Sequence, residues 1–189
     1  MHAASLASTA SLVGGDFTHG IIVEGQAPTD LEHTILAASR FAVPGYIATV
    51  RIPLSRGRDF TSADVAGSQR VAIVSATFAK RAWPNEDPIG RRFTCCDGQA
   101  DDPRWKTVVG VVGDVRSDGP TAELQPEFYI PLDQMPNEAW DWTHRTMTVV
   151  ARVDVEDDAR ERNVMAALRT APRRGLCPGA IGRSRRGRG

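Results

Sequence analysis

"RVAIVSATFAKRAWPNEDPIGRRF", residues 70–93, carries the strongest local signals in the chain. Val71 to Val74 form an unbroken apolar run, and a strand that is apolar on both faces belongs inside a sheet covered on both sides. Ser75 follows as a helix N-cap, with Phe78 and Ala82 four apart on one helical face. Trp83 precedes Pro84, and a residue before proline is pushed out of the α region, so the helix ends there. Asp87-Pro88-Ile89-Gly90 has the composition of a type I turn, with aspartate first, proline second and glycine fourth. Arg91, Arg92 and Phe93 then open a new extended segment. The stretch reads as strand, helix, corner and strand, with Trp83 anchored in the core beneath the corner.

Working outward, "KTVVGVVGDVR" (106–116) supplies a second buried strand, in which Gly110 and Gly113 mark a bulge or a close approach. "EFYIPL" (127–132) is a shorter strand and "TMTVVARV" (146–153) a later one. On the other side, "GIIVEG" (20–25) is a β-branched run between glycines. "HTILAASRFAV" (33–43) alternates, placing Ile35, Ala37, Ser39, Phe41 and Val43 on one side, although a short helix fits as well. "YIATVRI" (46–52) is a turn or two of helix. "PLSRGRDFTSADVAG" (53–67) is a connector in which Thr61-Ser62-Ala63-Asp64 has the form of a weak helix start. "DQMPNEAWDWTHR" (133–145) reads as a loop, and "DDARERNVMAALRTA" (157–171) as an amphipathic helix. Residues 1–19, rich in Ala, Ser, Thr and Gly, read as a loose N-terminal approach to the core domain. The fold class is therefore α+β: a mixed β-sheet with packed helices, in one domain with room for two lobes.

Lys plus Arg and Asp plus Glu both total 23 among 189 residues, so the net charge of zero gives no reason to expect nucleic acid as a partner. The distribution is uneven. Arg173, Arg174, Arg183, Arg185, Arg186 and Arg188 follow Pro172 with no acid among them, which makes residues 172–189 a basic, disordered tail on an acidic body. Without aromatic residues to stack on bases, that tail is a poor nucleic-acid binder. Cys95, Cys96 and Cys177 form neither a disulfide framework nor a zinc spacing, and a vicinal Cys95–Cys96 bridge would be strained. No run approaches the length of a membrane span, and the first residues lack the basic n-region and compact apolar stretch of a signal peptide.

Catalytic patterns are incomplete throughout. "GVVGDV" (110–115) fails as a dinucleotide fingerprint because its glycines sit inside a valine strand and do not open a helix. There is no P-loop motif. His2, His19, His33 and His144 share no ligating spacing and read as solvated loop residues, so no metal or cofactor is expected. Ser75 stands where a hydrolase nucleophile would, but between Val74 and Ala76 it lacks the G-x-S-x-G frame. The acid pairs Glu86/Asp87, Asp101/Asp102 and Asp157/Asp158 are sequence neighbours on turns, loops or helix starts, which is the placement of solvated acids. No catalytic, cofactor-binding or metal residue is assigned. Trp140 and Trp142 either form an exposed patch for a partner or tuck their loop onto the sheet.

Four ordered blocks carry a wider likeness: "VPGYIATVRIPLSRGRDF" (43–60), residues 70–93, "TVVGVVGDVRSDG" (107–119) and "PEFYIPLDQ" (126–134). Together they resemble the MacB-like periplasmic core domain of ABC transporter permeases of the FtsX/MacB type, especially the orphan-permease relatives, over residues 20–171. The resemblance implies a non-catalytic domain on the extracytoplasmic face of a bacterial inner membrane, inserted between the first two transmembrane helices of a permease. Its implied role is coupling or docking in transmembrane export and efflux. Implied partners are the permease transmembrane segments, a periplasmic adaptor protein and, indirectly, an ATP-binding subunit. Trp83, Pro84, Asp87, Pro88 and Gly90 become scaffold residues of a corner. The family's first extracytoplasmic strand and its spans are not recognised in the chain, which is read as a fragment whose unpaired sheet edge would promote association. The alternative is a free-standing extracytoplasmic module that binds a ligand or a protein.

Overall fold

A computed structural model describes residues 3–8, 17–26, 34–95, 102–117, 121, 123–143 and 147–152, which all fall in one compact unit, Met1–Arg152. The expected helix over 157–171, the tail, the Cys95–Cys96 pairing and three of the four histidines lie outside the described residues.

Among the described residues nine strands make one mixed sheet: β1 (Ala3–Ala7), β2 (Phe17–Val23), β3 (Ile35–Ala42), β4 (Leu54–Gly57), β5 (Val71–Ser75), β6 (Arg92–Thr94), β7 (Lys106–Val112), β8 (Glu127–Pro131) and β9 (Thr148–Arg152). Their order is β2-β6-β7-β5-β8-β3-β1-β9, with β4 beside β7. β2 also pairs with β3 through Phe17–Ile21, while Ile22 and Val23 pair with β6. The path β2-β6-β7-β5-β8-β3 thus returns on itself. Among the described residues three α-helices accompany the sheet: α1 (Tyr46–Thr49), α2 (Ala76–Ala82) and α3 (Asn137–Thr143).

β5 shows why the opening run decides the fold. It lies between parallel β7 and antiparallel β8, and all five of its residues are buried. Ala72 and Val74 point into a first core cluster with Phe78, Trp83, Phe93, Val108 and Phe128. Val71 and Ile73 point the opposite way, into a second cluster with Tyr46, Ile47, Phe60, Val112 and Tyr129. Successive side chains of a strand alternate in direction, so an unbroken apolar run requires two cores. All six strands of the closed path and α2 feed the first cluster.

The helix after β5 starts as expected, with Phe78 N donating to Ser75 Oγ at 3.2 Å. It ends at Ala82, and Trp83, only 4% exposed, rests against Phe78 and Phe93. The corner beyond it differs from the expected type I turn by one residue. Glu86 N donates to Trp83 O and Arg91 N to Pro88 O, giving two turns, one with Pro84 second and Asn85 (φ 66) third, the other with Ile89 second and Gly90 (φ 82) third. Positive φ at that third position is the type II signature. Gly90 N is engaged elsewhere, donating to Val108 O at 2.9 Å, so the tie to the neighbouring strand sets the register of the turn.

Four further expectations are corrected. Residues 3–7, within the stretch read as loose, form β1, which pairs along its length with β9 and at Ala7 with β3. Ala7 is fully buried there; small side chains gave β1 little propensity to show. β4 arises inside the expected connector, drawn in by pairing with β7 although all four of its residues are exposed. Thr61 to Asp64 make the hydrogen bonds of a helix start, Thr61 N to Asp64 Oδ2 at 2.8 Å and Ala63 N to Thr61 Oγ1 at 3.3 Å, but the chain turns away without a helix. Asp64 is held there by a two-pronged bond from Arg58, at 2.8 and 2.9 Å, which keeps its carboxyl below the usual range despite burial. Finally, residues 137–143 form α3, not a loop; Trp140 is half-buried and packs on the first cluster, while the Trp142 side chain is outside the described set.

The expected irregularity at Gly110 is present: the β5–β7 register shifts between Ala72 and Ile73. Across from it, Gly57 has φ 73, and a Cβ there would stand 2.1 Å from Val109 O. Gly57→Ala is expected to cost about 1–3 kcal/mol by overpacking, read as a lower urea midpoint at unchanged m-value; a midpoint equal to wild type would show that β4 moves freely.

Candidate functional site

The blocks after the opening one converge on a buried polar cluster. Arg40 comes from β3 and Glu127 from β8, two parallel neighbours paired in register Ala38 to Glu127. Arg40 Nη2 donates to Glu127 Oε1 at 3.3 Å and to Ser117 Oγ at 3.0 Å. Ser117 Oγ donates to the same carboxylate oxygen at 2.5 Å, and Tyr129 OH donates to the other at 2.9 Å. Arg40 is 0% and Glu127 2% exposed, so neither charge meets water. A desolvated ion pair is tolerated only when hydrogen bonds saturate it, and here the carboxylate receives three.

The same place secures α2. Ser75 Oγ accepts from both Phe78 N and Glu127 N, the latter at 3.1 Å, and Asp114 Oδ1 accepts from Thr77 N at 2.8 Å. The cluster thus joins the end of β5, the segment after β7, and the start of β8 to β3. Its chemistry is that of a lock. Ser75 is 1% exposed and both acceptor sites of its oxygen are taken, which leaves it the N-cap that its sequence position indicated.

Other residues singled out by sequence are not brought together. Glu86 pairs with Arg91, and Asp87 with Arg56 at 2.8 Å, all four about half exposed. His19, expected in a loop, lies in β2 with Nε2 2.9 Å from Ser39 Oγ. No group of three metal-binding side chains gathers among the described residues. Arg40 and Glu127 were missed by sequence reading. The available signal was one arginine and one glutamate in strands otherwise free of charge, a placement that charged side chains rarely take unless paired.

Burial, reinforced by the Glu127 charge, pushes the Tyr129 hydroxyl well above its ordinary value near 10.0. An acid whose folded pKa is raised stabilises the fold below the unfolded pKa and loses that contribution as pH rises through the folded one. Stability is therefore expected to fall above about pH 10, with Tyr129→Phe flattening the slope; equal slopes for both proteins in urea titrations would refute the assignment.

Residues 6–171 match the family of the MacB-like periplasmic core domain. No functionally curated protein matches the sequence. Among solved structures, the periplasmic region of MacB from Actinobacillus actinomycetemcomitans is similar at TM-score 0.56 and 20% identity, over 87% of this chain and 65% of that one. The extracellular domain of the noncanonic ABC-type transporter YknZ from Gram-positive bacteria is similar at TM-score 0.52 and 14% identity, over 86% and 69%. At such identities the likeness is one of fold, and the α+β architecture with its mixed sheet is common to them. The chain spans about two thirds of the length of these domains. Through the match that covers most of its length, the chain belongs to the MacB-like periplasmic core domain family.

Proposed function

We propose that the chain is a non-catalytic extracytoplasmic part of an ABC transporter permease, which passes movement between membrane segments and a docked adaptor during export. The observation that carries this reading is the arrangement of the resembling blocks. Blocks 70–93, 107–119 and 126–134 place β5, β7 and β8 side by side in a sheet with a core on each face, cross-tied by the Arg40–Glu127 lock. Interiors packed on both sides transmit strain and do not absorb it. No helix among the described residues is long and apolar enough to cross a membrane, so on this reading the spans, and the ATP-hydrolysing subunit, are supplied by other segments or chains.

The test is an immunoblot of fractionated native cells with an antibody to residues 70–132. The expected result is a membrane-bound band well above 20.5 kDa that is cleaved by protease added outside the inner membrane. A soluble band at 20.5 kDa would overturn the permease reading in favour of a free-standing binding module.

A further inference from the structure

Arg70 directly precedes β5, and Arg104 stands two residues before β7. Those strands run parallel, with Thr107 N donating to Arg70 O at 2.9 Å, so both arginines arrive at one edge of the sheet. The segment after β8 reaches the same edge because β8 runs antiparallel to β5. Together with Ala66, Met135, Pro136 and Asn137, the two arginines line an open cleft of about 430 Å³. Small-molecule sites commonly hold ~300–1,000 Å³.

Gln134 and Ser68 are committed to holding the walls of this cleft. Gln134 Oε1 accepts from Val71 N at 3.0 Å, while Nε2 donates to Ser68 Oγ at 3.0 Å and Gln69 O at 2.9 Å, tying the 65–69 loop to the end of β8. The cations are not so engaged. The exposed Arg70 guanidinium has no acid partner among the described residues, and Arg104 reaches only Asp102, at 4.0 Å. Ala66, Met135 and Pro136 add a smaller apolar share to a lining that is mostly polar. Two guanidinium groups lining one cleft suit a carboxylate, since planar guanidinium grips carboxylate in a two-pronged fashion.

We propose that this cleft is a binding site for small organic carboxylates, with Arg70 and Arg104 as the charge partners. The site goes beyond the permease reading and does not rest on it. Equilibrium dialysis of the full 189-residue chain against hexanoate, hexanol and inorganic phosphate tests it. The expected result is saturable hexanoate binding, with hexanol and phosphate at least about tenfold weaker. Arg70→Ala and Arg104→Ala should each weaken hexanoate by about tenfold, with part restored in Arg70→Lys. Because the exposed Arg70 side chain makes no hydrogen bond or ion pair among the described residues, Arg70→Ala should melt with wild type, so its loss of binding would not be loss of fold. Absence of saturable binding, equal binding of hexanol or phosphate, or unchanged affinity in both alanine variants would each overturn the assignment.

Discussion

Arg40→Met is expected to lower unfolding stability by about 3–5 kcal/mol, because it strands the Glu127 carboxylate in the interior without its cation. Ser117 and Tyr129 still donate to Glu127, but a carboxylate buried to 2% exposure has no water to replace the guanidinium. Domains of this size hold only about 5–15 kcal/mol in total, so the variant should sit near the limit of folding at 37 °C. The companion experiment is the double variant Arg40→Met with Glu127→Leu. Removing both charges should recover much of the loss, since a buried pair often does no better than apolar residues of similar volume. Two hydroxyls then lose their acceptor, at about 1 kcal/mol each, so recovery should be incomplete. Arg91→Ala is the control: its partnership with Glu86 is about half exposed and should be worth less than about 1 kcal/mol. Urea midpoints for the four proteins decide the matter; an Arg40→Met midpoint equal to that of Arg91→Ala would mean the lock carries no stability.

Phe78→Ala should cost a comparable amount, about 3–5 kcal/mol, by leaving a cavity at the centre of an aromatic group. Phe78 is fully buried, with ring centroids 4.9 Å from Phe93, 6.0 Å from Trp83 and 6.1 Å from Phe128. Those rings come from β6, the corner and β8, so one side chain holds α2 against three separate parts of the chain. Tryptophan fluorescence should shift to the red at lower urea than in wild type, as Trp83 loses its neighbour. Ile22→Ala, at a side chain 51% exposed, is expected to stay within about 0.5 kcal/mol. If the two variants unfold alike, the first cluster is not the core it is described to be.

The legible part of this fold is the part encoded by near neighbours. Val71 to Val74 specify a strand covered on both faces, Ser75 a cap, Trp83-Pro84 a helix end, and the valines of 106–112 another inner strand, all through local backbone preference and the alternation of side chains. The family likeness was legible for the same reason, as four ordered blocks of such signals. Where the local pattern was faint, tertiary pairing decided. The small residues of β1 and the exposed residues of β4 become strands because β9 and β7 lend them hydrogen-bond partners, and the corner shifts by one residue because Gly90 N is claimed by Val108 O. The charged lock lay furthest from view. Arg40 and Glu127 are 87 residues apart, and no local periodicity reports that two strands so distant will lie parallel and side by side. What the sequence by itself determined was the segments with strong local signals, the inner strands, α2 and the corner after it, since those follow from neighbours within a few residues. Only the tertiary structure decided which strands adjoin, where the sheet closes, and that two charges would meet inside it, because those depend on contacts whose formation is non-local.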